Sequence, residues 1–200
     1  LVFSDNMFNS LSKGSSYFIP KVAKSIEGVN GRALSLSIKL DRPEDAENTG
    51  RLFTTAGAAV EVQDTQLKIR GDLGAILSSA LQDSDSIYKN DGKAVSDRYG
   101  YDEMTAMKNW WTALTKVDKE LKKEKQIAES KVVSDVVKKG IEPSYNFYHI
   151  EANKVSDHAG MMSGLLIFYV IYTMWWGYAI FYIFDGIGLS MKKAKVKKEA

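Results

Sequence analysis

The sequence predicts an α+β protein with a small three-stranded α+β extramembrane domain, a long amphipathic helix and one C-terminal transmembrane helix. Three observations carry this. Met161–Phe184 runs for 24 residues without a charge; as a helix it spans roughly 36 Å, enough for a ~30 Å hydrocarbon core. Leu34, Leu36, Ile38 and Leu40 alternate with Ser35, Ser37 and Lys39, the period-two signature of a strand with one buried face. From Asp102 to Lys139 there is neither Pro nor Gly, and Met104, Met107, Trp111, Leu114, Val117, Leu121, Ala128, Val132 and Val136 recur at near-helical spacing.

The elements follow in order. Residues 1–19 show little periodicity, and the Asn, Ser and Gly of 9–16 predict a loop. Pro20 suits the first turn of a short helix with Ile19, Val22, Ala23 and Ile26 on one side, ending near Gly28. After the strand of Ala33–Leu40, Asp41-Arg42-Pro43-Glu44-Asp45 predicts a helix start, with Asp41 as the cap and acids at the positive end of the dipole. That helix is expected to reach about Thr55 and to bury Ala46, Leu52 and Phe53, with Gly50 as its weak point. Ala58–Val62 and Gln66–Arg70 alternate around Gln63-Asp64-Thr65, a hairpin with a three-residue loop. Asp72 caps a further helix carrying Leu73, Ile76, Leu77, Ala80 and Leu81, which Asn90-Asp91-Gly92 ends.

This divides the chain into residues 1–92 (the α+β domain), 93–160 (long helix and juxtamembrane linker), 161–191 (transmembrane helix) and 192–200 (basic tail). In the long helix, Lys116–Gln126 is almost entirely charged, and Asp118 and Lys125 stand where a coiled-coil seam wants apolar residues. The two ends are therefore expected to pack while the centre is solvated or bends. Gly140 and Pro143 are expected to end it.

Composition excludes several functions. The chain has no cysteine, which removes disulfides, thiolate metal sites, iron–sulfur clusters and thiol catalysis. Outside the tail there is no basic run of the kind nucleic-acid binding requires. No nucleotide, cofactor or hydrolase motif is present. The chain opens on Leu1 and not Met, which is expected either where a signal or targeting segment has been removed or where the true N-terminus lies outside this sequence. Five lysines follow the apolar run (Lys192, Lys193, Lys195, Lys197 and Lys198), against one, Lys154, in the 20 residues before it. By the positive-inside rule the tail is expected in the cytoplasm or its organellar equivalent, with residues 1–160 on the opposite side. The same lysines would attract anionic lipid.

The candidate sites concentrate near the membrane. His149 and His158, with Glu151 and Asp157 nearby, are the candidate metal ligands. Their spacing matches no defined ligand pattern, and a capping role for His158 and an interfacial one for His149 account for them equally well. The apolar run holds nine aromatic residues, with Trp175 and Trp176 at midspan rather than in an interfacial belt. Gly160 and Gly164 form a GxxxG spacing, and Gly177 and Tyr178 follow Trp176. Gly160, Gly164, Trp175, Trp176, Gly177 and Tyr178 are thus the expected contact surface for other membrane helices. Trp110 and Trp111 are expected to divide, with Trp111 packing on the core and Trp110 covering its rim.

Together these features predict no cofactor, no nucleotide and no nucleic-acid partner. They predict an accessory or structural subunit, not an enzyme by itself, held in the lipid bilayer and docked to other membrane subunits, as in a respiratory or other energy-converting assembly. Two alternatives remain open at this stage: a metal- or haem-binding redox subunit using His149 and His158, and a homo-oligomeric scaffold with the long helix as its stalk.

Overall fold

The first element is a helix that its sequence does not advertise. In the computed structural model, which describes residues 2–153 and 155–189, Val2–Ser15 forms α1, where the composition predicts a loop. Tertiary contacts override the weak local preference. Met7 and Leu11, one turn apart, are buried. The Lys13 carbonyl accepts from the Tyr88 hydroxyl, and the Ser10 carbonyl from the Asn153 amide at 3.1 Å. The Lys13 ammonium donates to Asn90 Oδ1 (3.1 Å) and to the carbonyls of Phe147 (3.1 Å) and Ile150 (2.6 Å). Burial lowers the Lys13 pKa, opposed by the Glu151 charge.

The next helix, α2 (Ile19–Glu27), follows the sequence pattern, with Pro20 in its first turn and Ile19, Val22 and Ile26 buried. Strand β1 (Ala33–Lys39) buries Leu34 and Ile38. Helix α3 (Pro43–Thr55) buries Ala46, Leu52 and Phe53 as expected, but Asp41 does not cap it. Arg42 holds the cap position, and its guanidinium bonds Asp45 at 2.8–2.9 Å. Gly50 has a packing reason: a Cβ there would lie 3.1 Å from Val62 Cγ2, so the helix closes tightly on the sheet.

β2 (Ala59–Gln63) and β3 (Gln66–Asp72) form the hairpin. Gln63 pairs with Gln66, which leaves a two-residue loop of Asp64 and Thr65, with Asp64 at φ 55° instead of the expected three-residue loop. The sheet is antiparallel in the order β1-β3-β2, with Leu36 opposite Ile69 and Val60 opposite Ile69 on the other side. One face carries Leu34, Ile38, Leu67 and Ile69 into the core; the other presents Ser35, Ser37, Lys68 and Arg70 to solvent.

Four more helices complete the core. α4 (Leu73–Tyr88) starts on Asp72, whose Oδ1 accepts from the Gly74 amide at 2.8 Å. It ends in a Schellman turn: the Asp91 amide reaches the Ser86 carbonyl, the Asn90 amide reaches that of Ile87, and Asn90 sits at φ 63°. Asp91 then caps α5 (Gly92–Tyr99), a helix absent from the sequence reading.

The long helix is not continuous. α6 (Glu103–Lys123) and α7 (Ile127–Val136) are separated by a second Schellman turn, with Lys125 at φ 62° in the position glycine usually takes. The chain folds back there, so that Ser130 donates to Asp118 at 2.6 Å and the Trp111 indole to Glu142 at 3.0 Å. The physical reason lies in the charged run around Lys122–Lys125, which has nothing to bury, while Leu121, Val133 and Val136 are buried once α7 reverses.

Gly140 does not end the helical path. Val137–Ile141 forms a π turn that leads into α8 (Glu142–Asn146), with Pro143 in its first turn. A Cβ on Gly140 would lie 2.9 Å from Leu81 Cδ1, so glycine permits close packing on α4. A 3-10 turn, Val155–His158, precedes α9 (Ala159–Gly186). The chain divides into two compact units, Leu1–Asn153 and Lys154–Ala200. The first holds the sheet and α1–α8, so α6 and α7 share one core with the strands; α9 belongs to the second.

Candidate functional site

α9 runs for 28 residues without Pro, with predominantly apolar side chains that outweigh its glycines. Among the described residues, Ser156–Gly186 is the one segment long and apolar enough to cross a membrane. None of its side chains is buried, and Trp175 is 75% exposed. The Thr173 hydroxyl, polar in an apolar segment, donates to the carbonyls of Tyr169 and Val170, each at 2.9 Å, which satisfies it within the helix.

Helical projection sorts the expected contact residues. At about 100° per residue, Gly160, Gly164, Trp175, Tyr178 and Tyr182 fall within about 60° of one line, and Asp185 lies beside it. Trp176 lies on the opposite face, and Gly177 on a third side. The proposed set is therefore not one surface: Gly160, Gly164, Trp175 and Tyr178 share a face, and Trp176 and Gly177 do not. No atom comes within 4 Å of a Cβ placed on Gly160, Gly164 or Gly177, which leaves room for close helix approach. The helix ends at Gly186 and Gly188 takes φ 81°, so Asp185 stands in the last turn.

His149 and His158 lie in different units. His149 has φ 63°, its ring stands 3.8 Å from that of Tyr148, and its amide donates to Asn90 Oδ1 at 2.9 Å. His158 occupies the cap position of α9. Among the described residues no three His, Asp or Glu side chains are grouped to hold a metal ion. Lys192, Lys193, Lys195, Lys197 and Lys198 lie outside the described residues.

The main polar site in the core is one that sequence reasoning passed over. Asp83 is fully buried. One oxygen accepts from the Arg98 guanidinium; the other accepts from the Tyr99 hydroxyl at 2.5 Å and the Trp110 indole at 2.8 Å. Burial pushes the Asp83 carboxyl above its usual range, against the pull of Tyr99, Trp110 and the Arg98 charge. Burial and the adjacent carboxylate raise the Tyr99 phenol to about 12. With both oxygens occupied, Asp83 ties α4, α5 and α6 together. A signal for it exists in the sequence: Ile76, Ala80, Asp83 and Ile87 form one helical stripe, so the acid occupies a core position.

The two tryptophans exchange their expected roles. Trp110 is fully buried with its ring 5.2 Å from Phe53, and Trp111 is 43% exposed. The difference is the indole N–H: only position 110 faces Asp83. Trp111 instead lines an open apolar groove of about 350 Å³ with Ile141 and Tyr145.

A second groove, of about 490 Å³, lies at the β2 end of the sheet's core-facing side, between α3, β2 and the end of α5. Val60 and Val62 form one wall; Arg51, Arg98 and Tyr99 line the rest, with Glu47 one turn before Arg51. Arg98 is held from behind by Asp83. Arg51 is exposed and has no ion pair among the described residues. Comparison of the chain with protein-family models, with curated proteins and with solved structures gave no match.

Proposed function

We propose that this chain is a single-pass membrane accessory subunit. α9 seats it in the bilayer and docks it against the membrane helices of unlike subunits, and the body of residues 1–153 holds or orients those partners at the membrane surface. The observation that carries this is α9 itself: 28 residues, none buried, with Gly160, Gly164, Trp175, Tyr178 and Tyr182 on one side. A simple lipid anchor does not need two indoles and four phenols in its span. Small residues allow close backbone approach, and Trp and Tyr supply hydrogen-bonding groups where water is absent. The five lysines after the span support a tail on the cytoplasmic side or its organellar equivalent, with residues 1–160 on the opposite side.

The test is replacement of Met161–Phe184 by poly-Leu in the full chain, followed by membrane fractionation and native mass spectrometry in mild detergent. The chain is expected to stay in the membrane fraction and to lose its partner subunits. Retention of the same partners would move recognition from α9 to the body. A monomer for the unaltered chain would overturn the subunit reading.

A further inference from the structure

The sheet has two edge strands, β1 and β2, and the outer edge of β2 is the one that runs beside the 490 Å³ groove. The Leu40 amide donates to the Thr65 carbonyl at 2.8 Å, which fixes the alternation along β3. Odd-numbered positions there bond toward β1, so Gln66, Lys68 and Arg70 bond toward β2. Their partners Gln63, Glu61 and Ala59 therefore use their backbone groups inward. Val60 and Val62 are left with N–H and C=O groups directed away from the sheet, and neither finds a backbone partner elsewhere among the described residues. These are the two residues whose side chains wall the 490 Å³ groove. The outward main-chain groups of β2 thus run along the rim of a groove with an apolar wall and two guanidinium groups.

We propose that the outer edge of β2 seats an extended, acidic segment of a partner protein as a fourth strand. Backbone pairing with Val60 and Val62 supplies the docking, as in other cases of strand addition. Side chains on the groove-facing side of the added strand lie between the valines and α3, where Arg51 receives a carboxylate. Arg98, fixed by Asp83, presents its remaining N–H groups from the end of α5. Glu47 is the one acid of the lining, and it favours a carboxylate placed toward Arg51 and away from the first turns of α3. A second copy of this chain is a poorer occupant. Antiparallel pairing of two β2 edges through Val60 and Val62 sets Glu61 opposite Glu61 of the other copy, a like-charge pair at the closest cross-strand spacing.

The inference concerns the body alone and does not depend on what α9 binds. It is tested on the full chain in detergent micelles by fluorescence anisotropy. The probe is a short labelled peptide of alternating threonine and glutamate, compared with its threonine–lysine counterpart. Saturable binding that weakens with added salt is expected, with the lysine peptide at least about tenfold weaker. Arg51→Glu, on an exposed helix surface, is expected to weaken binding about five- to tenfold with folding unchanged. Val62→Pro removes an outward N–H without removing a β3 ladder bond and is expected to abolish binding. Should that variant fail to fold, the Arg51→Glu result and the comparison of peptides decide. Equal affinity for both peptides, or no effect of Arg51→Glu, overturns the proposal. So does self-association of the chain that Val62→Pro abolishes, because the edge would then belong to a second copy.

Discussion

Asp83→Ala is expected to destabilise the body severely, and the size of the effect follows from its partners. The substitution leaves the Tyr99 hydroxyl and the Trp110 indole N–H buried without an acceptor. Tyr99 is 5% and Trp110 0% exposed. Each orphaned buried donor costs about 1–3 kcal/mol. Arg98 adds less, because its side chain is 26% exposed and its guanidinium can turn to water. The total, about 3–5 kcal/mol, matches the usual cost of removing one partner from a buried ion pair. For a body of this size each kcal/mol lowers the melting midpoint by about 2–4 °C, so a loss of about 10 °C is expected. Urea unfolding of the full chain in micelles, followed by circular dichroism and tryptophan fluorescence, reads it directly. Asp83→Asn keeps one carbonyl oxygen and should cost about half as much. A double-mutant cycle sharpens the test. Tyr99→Phe should cost about 1–2 kcal/mol in the unaltered chain and close to nothing beside Asp83→Ala. A cost below about 1 kcal/mol for Asp83→Ala, or additive behaviour in the cycle, would refute the claim that this carboxylate ties α4, α5 and α6 together.

Two further outcomes follow from local geometry. Lys125→Gly should stabilise the body by roughly 0.5–1 kcal/mol, because glycine carries no Cβ penalty in the left-handed position that Lys125 occupies at φ 62°; a lower urea midpoint would contradict the turn. Alkaline stability should fall between pH ~10 and pH ~12, by about 2–3 kcal/mol from Tyr99 alone. The sign is set by its phenol, held at about 12 in the folded chain, above the unfolded value near ~10. In that window the unfolded chain has lost a proton that the folded chain retains, so rising pH favours unfolding. Tyr99→Phe should flatten the slope, and urea midpoints measured across the window check it.

Much of the fold is legible in the sequence, for reasons that differ by element. β1 and β3 are readable because one face is buried and the other wet, so alternation survives in Leu34, Ile38, Leu67 and Ile69. α2 and α4 are readable from Pro20 and from the Asp72 cap. α1 is not, since its residues gain helical structure only through long-range bonds such as Lys13 to Phe147 and Ile150. The break at Lys125 is legible only in part: the charged run Lys116–Gln126 predicts a centre that is solvated or bends, but not the position of the turn. No Pro or Gly marks it, and it exists because folding back buries Val133 and Val136, which a straight helix would leave exposed.

For the candidate sites the division runs along the same line. The sequence by itself determined that one segment, Met161–Phe184, is suited to a membrane, because length and the absence of charge are one-dimensional properties. It also determined that cysteine chemistry is absent. Tertiary structure alone decided which tryptophan is buried, why a core position holds Asp83, and that Val60 and Val62 keep open backbone groups beside Arg51 and Arg98. Those facts depend on which strand lies at an edge and which donors converge on one carboxylate. Such convergence brings together residues tens of positions apart, and no local pattern records it.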